Sequence, residues 1–549
     1  MTDVLGDFRA PADLIRRYHS AGLWRDHGPV GDLRRWATEQ PDATAIIQYR
    51  DGAEAERLTY GQYAGRVERF AAALHSLGVR AGDVVAVWLP NFWQVNALML
   101  ACARIGAVTA PILPTIRTRE LERMFARLAP KVCVTVDEWA GFGHAEALDG
   151  LAVEHRVVIG RAQGAQIDFH HYFERTPWEA THRMDLADAG SDPDRLALVL
   201  FTSGTSGEPK GVLHSFNTIY AGNSPIAEAE RIGPGDTMFI PHALTFIGGT
   251  LYGITMPLLT GAASVLLDTW DGPGGLRLLR ETGTTIMFAA PTFFRALVDE
   301  VRRTGKKPEA LRLAVTGATT VPQQIVREVP ATLGVPLRAL WGMTEVAAQT
   351  WTRAGDPVDW GTQSDGSPGS GLEIDLRPET EGTIGPERPA RLFVRGAGVT
   401  LATLGRDSGA LNVLADHDDG WYDTGDLAIP DGRGGIRILG RVADRIGGAL
   451  LIPVGDVEDA LLGHPAIEDV ALVGYLDESG FERAAAVIVP NGTPPTLSTL
   501  RDYLTEAGMT EWYQPSRLEV IDRLPRNSAG KVRKDLLRER LRQSSEAAS

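Results

Sequence analysis

The sequence predicts a layered α/β fold, with a large N-terminal domain over residues 1–440 and a small α+β domain over residues 441–549. Three observations carry that expectation. At 549 residues the chain is too long for one ordinary hydrophobic core. Up to Gly440, apolar strand-like runs alternate with helix-like segments, as in sheets covered by helices. From Arg441 the pattern becomes that of a smaller unit, a helix followed by two strands and two more helices.

Asp83-Val-Val-Ala-Val-Trp-Leu-Pro90 reads as a strand entering a loop, and Trp93 through Arg104 as a mostly apolar helix. Leu196-Ala-Leu-Val-Leu-Phe201 is a continuous apolar run, the signature of a buried strand. Leu311-Arg-Leu-Ala-Val-Thr-Gly317 is another strand, running into a glycine turn. Gly432-Arg-Gly-Gly435 reads as a hairpin turn just before the domain boundary. Beyond it, Val457 to Leu462 reads as helical, and Val470-Ala-Leu-Val-Gly474 and Ala485-Ala-Val-Ile-Val489 as strands. Leu500 to Ala507 is a further helix, and Lys534 to Arg542 a charged, solvated one.

Composition narrows the function classes. A hydrophobic content of 44% and a charged content of 23% are those of a globular protein. A formal net charge of −15 argues against a nucleic-acid partner, which needs a basic face. Cys102 and Cys133 both lie in apolar surroundings and read as buried small hydrophobes, not as a disulfide or metal framework. Met1-Thr-Asp-Val-Leu-Gly-Asp7 lacks the basic start and apolar core of a signal peptide, so a cytoplasmic protein is expected. No Asp, Glu, Lys or Arg occurs between Asp236 and Asp268. That stretch is punctuated by Pro241, Gly248, Gly249, Gly253, Pro257 and Gly261, so it reads as buried strand, loop and short helix, with no membrane span.

The densest chemical signal is Phe201-Thr-Ser-Gly-Thr-Ser-Gly-Glu-Pro-Lys210-Gly211, directly after the apolar strand. Glycines let backbone N–H groups turn inward, hydroxyls add donors, and the lysine adds a mobile positive charge. Such a loop can wrap phosphate, although its spacing is not that of a Walker A motif.

That loop resembles the phosphate-binding signature of the adenylate-forming superfamily, in its acyl-CoA ligase branch. Further family-like stations follow in order: Trp341-Gly-Met-Thr-Glu345, Tyr422-Asp-Thr-Gly-Asp426, Gly440-Arg441 and Leu524-Pro-Arg-Asn-Ser-Ala-Gly-Lys531. Leu58-Thr-Tyr60 and Gly106-Ala-Val-Thr-Ala-Pro111 also resemble family segments, so the likeness spans nearly the whole chain. The resemblance implies ATP, Mg²⁺ and CoA as cofactors and co-substrates. It implies that Thr202, Ser203, Gly204, Thr205, Ser206, Gly207 and Lys210 hold the β- and γ-phosphates. Glu345 would carry Mg²⁺, a hard cation suited to carboxylate oxygen, and Thr344 would bond the α-phosphate. Gly317 and Ala318 would lie beside adenine; Trp341 would stack on it or serve as a core aromatic. Asp426 would accept hydrogen bonds from the ribose hydroxyls, with Arg441 nearby. Lys531 would bridge the acid and the α-phosphate. In the family the small domain swings between two poses, one for each half-reaction.

The sequence departs from the family pattern at several points. The hinge position is Ala443, where Asp or Lys is usual. The segment holding Gly447 and Gly448, which would guide CoA, is one residue shorter than usual. Phe216 replaces a histidine often found after the phosphate loop, although His214 is present, and Ala390-Arg391-Leu392 replaces Gly-Glu-Leu. The acid pocket is expected to contain Phe246, Gly249, Tyr252 and Phe293, with His242 close by and without an assigned role. No acidic residue beside Phe246 would hold an α-ammonium group, which favours an apolar acid, cyclic or medium-chain by resemblance. Acid–thiol ligation to CoA is therefore expected. Alternatives are an amine acceptor, with a carboxylate or a small oxyanion such as nitrite as the adenylated partner, a carrier-protein thiol, or a non-catalytic ligand-binding homologue.

Overall fold

The structure is a computed structural model. It describes residues 5–182, 192–203, 209–347, 350–379, 381–405, 409–442, 446, 452, 454–477, 482–507, 509, 511–527 and 530–546. Two nine-stranded sheets form its body. The first runs in space from Ser367–Pro368 through Thr350–Trp351, Leu337–Trp341, Leu313–Thr316, Ile286–Ala289, Thr237–Phe239, Ala263–Leu267 and Thr44–Arg50 to Ala53–Thr59. Its central pairings are parallel, and only the edge strands turn antiparallel. Parallel strands covered on both faces are buried at every position, as Val84–Trp88 and Ala263–Leu267 are; the one polar side chain among them, Ser264, donates to Gly253 O.

The second sheet centres on Leu196–Ser203, paired antiparallel with Pro209–Ser215 and parallel with Val108–Pro111. Val84–Trp88, Val132–Val136 and His155–Ile159 continue it in parallel. One large core unites Ile46, Val85, Leu198, Phe288 and Leu340 from both sheets with the helix Trp93–Ile105, whose thirteen residues are all buried. A four-stranded antiparallel sheet, Leu372–Arg377, Ala390–Gly396, Tyr422–Pro430 and Ile436–Arg441, follows. The smaller C-terminal unit has the sheet Ile467–Leu476, Glu482–Pro490 and Arg517–Val520, with the helices Val454–Leu462, Leu497–Glu506 and Lys534–Glu546.

The elements read from sequence are present, with ends shifted by a few residues. The glycines at 432–435 do turn a hairpin: Asp431 Oδ1 accepts from the N–H groups of Arg433 and Gly435. Cys102 and Cys133 are fully buried thiols. The charge-free stretch folds as strand Thr237–Phe239, the helical turns Ile247–Gly249 and Thr250–Thr255, helix Met256–Thr260 and strand Ala263–Leu267. Among the described residues, no helix is long and apolar enough to cross a membrane.

Asn91 knots strand Ala263–Leu267 of the first sheet to the loop at His242 and Leu244. Its amide nitrogen donates to the carbonyls of His242 (3.0 Å) and Leu267 (3.2 Å), and its oxygen accepts from Leu244 N (2.8 Å). Buried backbone groups left without partners cost free energy. Asn91→Ala orphans three of them and is expected to destabilise the large domain by about 2–4 kcal/mol. Urea unfolding followed by tryptophan fluorescence checks this; an unchanged midpoint would show that the knot carries no stability.

Candidate active site

The phosphate-loop signature begins as two strands. Leu196–Ser203 and Pro209–Ser215 pair antiparallel, with Thr202 opposite Lys210. Gly204, Thr205, Ser206 and Gly207 lie outside the described residues, and only the backbone of Ser203 is described. Lys210 Nζ lies 2.7 Å from Glu345 Oε1 and donates to the Tyr422 hydroxyl at 2.8 Å. The Tyr422 hydroxyl in turn donates to Glu345 Oε1 at 3.1 Å.

Glu345 sits on the short turn Thr344–Val346, and it is only 5% exposed. Two backbone anchors hold that turn. His214 Nε2 donates to Thr344 O (2.7 Å), and Thr400 N donates to Glu345 O (2.8 Å). The first anchor fixes the tautomer of His214, whose Nδ1 accepts from the Thr218 hydroxyl. Burial pulls the His214 imidazole down to about 4, so it is neutral at pH 7. It ties the phosphate strand to the carboxylate turn. Burial by itself would raise the Glu345 carboxyl, but the Lys210 charge, its hydrogen bond and the Tyr422 hydroxyl hold it below its ordinary value.

A second carboxylate is built from the four-stranded sheet. Asp426 on strand Tyr422–Pro430 faces Arg441 across the ladder, with Arg441 Nε 2.9 Å from Oδ1. Trp341, at the end of strand Leu337–Trp341, donates its indole N–H to Asp426 Oδ2 at 2.9 Å. The indole is buried in a core cluster with Leu392 and Val394, yet it borders the cavity. Trp341 therefore packs as a core aromatic and also orients Asp426.

A cavity of about 770 Å³ opens beside this pair. Ala318, Trp341, Asp426 and Arg441 line it together with Lys531 and Lys534. Ala318 holds a left-handed backbone (φ 68°), a costly conformation for a residue with a side chain, and one that clusters at functional sites. A Cβ on Gly317 would lie 2.4 Å from Leu340 O, so glycine is required there for close strand approach. Lys531 closes a turn whose backbone N–H donates to Asn527 Oδ1 (2.9 Å), while Arg526, ion-paired with Asp469 at 2.6 Å, caps Gly530 O.

Two residues expected in the acid pocket, Phe246 and Phe293, lie on either side of His242. Phe246 borders a small cavity of about 20 Å³, shared with Phe201, Thr245 and Thr344. Tyr252 stacks on Phe288 with ring centroids 3.9 Å apart, and Phe293 packs against Trp270 and His242. A Cβ on Gly249 would lie 2.1 Å from Ala243 O, so this glycine serves backbone packing. Ala443, expected as the hinge, and the pair Gly447 and Gly448 lie outside the described residues.

Three features were not assigned a role from sequence. Tyr422 was visible only as part of a motif. His242 has its Nε2 accepting from Ala290 N at 3.0 Å, so Nδ1 bears the proton; burial lowers it to about 4, and its ring sits between Phe246 (6.4 Å) and Phe293 (5.0 Å). Asp365 lines the large cavity and accepts from Ile438 N at 2.8 Å. Burial, with a contribution from Asp426, raises its carboxyl to about 6 against the pull of Ile438 N–H and Arg437.

Residues 33–402 match the AMP-binding enzyme profile, and residues 456–531 match the AMP-binding enzyme C-terminal domain. The chain belongs to the AMP-binding enzyme family. Among this family's curated members it is 30% identical to a medium-chain fatty-acid–CoA ligase of Escherichia coli, over 95% of this chain and 92% of that one. It is 30% identical to an indoleacetate–CoA ligase of Aromatoleum aromaticum, covering 92% and 97%. A salicyl-AMP ligase / salicyl-S-ArCP synthetase of Mycobacterium tuberculosis is 27% identical over 95% and 92%. The fold is that of an anthranilate CoA ligase crystallised with anthranoyl-AMP, with a TM-score of 0.83 at 22% identity over 95% of this chain and 98% of that one. As an AMP-binding enzyme of this kind the protein is an ATP-dependent, AMP-forming ligase of the acid–CoA ligase group.

Two variants test the site's electrostatics. Lys210→Met strips Glu345 of its cation, so burial should lift the carboxyl above its ordinary value. Its folded form then binds a proton that the unfolded chain has released, and stability is lost as pH rises. The variant is expected to be less stable than wild type by about 2–3 kcal/mol at pH 7, with the deficit shrinking toward pH 4.5. Asp365 works in the same direction in wild type, costing stability as pH rises from about 4 to about 6. Asp365→Asn is expected to flatten that part of the profile. Thermal unfolding across pH 4.5–8 checks both; parallel profiles for variants and wild type would contradict these assignments.

Proposed function

We propose that the chain is an acid–thiol ligase that activates a hydrophobic, cyclic or medium-chain carboxylic acid as its acyl-adenylate and transfers the acyl group to CoA. The observation that supports this most is the shared cavity: Asp426, Arg441, Ala318 and Lys531 all line one space of about 770 Å³. A carboxylate is a poor acyl donor, because its leaving group would be oxide. Attack of one carboxylate oxygen on the α-phosphorus of ATP releases pyrophosphate and makes a mixed anhydride; the thiol then displaces AMP.

Asp426 and Arg441 hold the ribose in this reading. Each Asp426 oxygen already accepts one bond and keeps capacity for a hydroxyl. Ala318, Gly317 and the Trp341 edge bound the adenine, while Thr202 through Lys210 cradle the β- and γ-phosphates and Thr344 bonds the α-phosphate. Lys531 offsets the repulsion between carboxylate and α-phosphate. Among the described residues no group of three potential ligand side chains gathers into a cage for a metal. The single Glu345 carboxylate suits Mg²⁺, which keeps waters and phosphate oxygens and needs only one or two carboxylates. The ion would neutralise phosphate charge. Phe246, Gly249, Tyr252 and Phe293 form the acid side. The domain boundary falls after Gly440, with Ala443 as hinge and Gly447 and Gly448 along the thiol path, in a cytoplasmic enzyme.

A second reading is favoured by the small space beside Phe246 and Thr344, about 20 Å³. There the enzyme adenylates a small oxyanion, a short carboxylate or nitrite, and passes it to an amine, giving an amide or an N–N bond. A carrier-protein thiol is the remaining acceptor, the substrate type named for the salicyl-S-ArCP synthetase relative.

ATP–pyrophosphate exchange with a panel of acids from nitrite and formate to cyclohexanecarboxylate and octanoate separates the first two readings. Exchange with the large acids, followed by CoA-saturable thioester formation, supports the first. Exchange confined to the small oxyanions, with product formed only on adding amines, moves the assignment to the second. Lys531→Ala is expected to lower adenylation by at least about 10²-fold while sparing most thioester formation from supplied acyl-adenylate. Equal loss in both half-reactions would refute the role of Lys531, and nucleotide binding without product from any acceptor would leave a binding protein.

A further inference from the structure

We propose that Tyr422 is a positioning residue for the triphosphate, holding Glu345 in place when Lys210 leaves it for phosphate. The inference rests on the reading of Lys210 and Glu345 given above. It starts from three atoms at mutual hydrogen-bond distance: Lys210 Nζ, the Tyr422 oxygen and Glu345 Oε1, separated by 2.7, 2.8 and 3.1 Å. The directions of these bonds follow from chemistry. An ionised carboxylate only accepts, so the phenol proton points at Oε1; an ammonium only donates, so it points at the phenol oxygen. Burial raises the Tyr422 hydroxyl far above its ordinary value, keeping the proton in place.

Consider what happens when a triphosphate draws Lys210 away. Glu345 is 5% exposed and loses its cation. A buried carboxylate without a partner is costly, and its side chain would follow the lysine or rotate. The Tyr422 hydroxyl does not leave, because its strand is locked into the four-stranded sheet by pairing with Val394. It keeps Oε1 engaged and leaves Oε2 to face a hard cation. Tyr422 thereby lets the lysine and the carboxylate exchange partners one at a time without leaving a bare charge.

The test uses ATP itself, with AMP as control. Calorimetric titration of the full chain with ATP in the presence of Mg²⁺ is compared with the same titration in EDTA, and with AMP. Tyr422→Phe is expected to weaken Mg²⁺-dependent ATP binding about tenfold or more, the loss of one hydrogen bond to a charged group, while AMP affinity stays within about twofold. Equal weakening of ATP and AMP would mark a merely structural role and overturn the proposal, as would unchanged ATP binding. Glu345→Gln separates the two layers. If it leaves the Mg²⁺ dependence intact, the underlying reading of Glu345 fails; if it moves the dependence and Tyr422→Phe does not, only the present inference fails. Should Tyr422→Phe not fold, 3-fluorotyrosine at position 422 strengthens the donor at nearly constant shape. It is expected to tighten Mg²⁺-dependent ATP binding and not AMP binding; no difference between them would overturn the proposal.

Discussion

A carboxylate removed from water must find positive charge or hydrogen-bond donors, and Glu345 meets that constraint with partners from several elements. Its surroundings come from distant parts of the chain: Lys210 from the phosphate hairpin, Tyr422 from the antiparallel sheet, and the backbone anchors at His214 and Thr400. None of these elements can shift by much without exposing a charge to a medium that will not solvate it. The two sheets and the antiparallel layer are therefore registered against one another by electrostatics as well as by apolar packing.

Asp426 repeats the arrangement with different parts. Its partners are an indole N–H and a guanidinium, so the carboxylate is oriented even before any hydroxyl reaches it. Such preorganisation matters because groups already in place need not reorganise as charge develops. The two neutral histidines serve different ends. His214 joins two elements through a carbonyl and a hydroxyl, whereas His242 caps the Ala290 amide and stands between two aromatic rings.

Most of the fold was legible because buried parallel strands require unbroken apolar runs, and Val84–Trp88 and Leu196–Phe201 have them. Local chemistry was legible because a hydroxyl- and glycine-rich segment, Phe201 to Gly211, announces itself within eleven residues. What stayed hidden was pairing at long range. The hydroxyl of Tyr422 meets a carboxylate 77 positions earlier, and nothing near Tyr422 in sequence hints at that partner. Trp341 was open between stacking and core because both uses call for a large aromatic; its N–H settled on Asp426, 85 positions away. The acid-side residues were the least legible. Gly249 is required by the Ala243 carbonyl, and Tyr252 packs on Phe288, neither of which periodicity can disclose.

The stretch Thr250–Thr255 is a π-helical turn, wider than an α-helix. Two of its carbonyls are taken up by side chains: Gly253 O by Asn96 and Ser264, and Leu251 O by Asn223 and by Thr255 of the turn itself. A turn of this kind carries one surplus residue relative to its α-helical counterpart. Deleting that residue would rewind the segment and swing Tyr252 off Phe288 without touching the chemistry at Glu345 or Asp426. On the reading proposed above, the surplus residue makes the wall of the acid side a dial that a single codon loss can turn. A lineage of such enzymes then has a route to new substrates that leaves the nucleotide machinery unaltered.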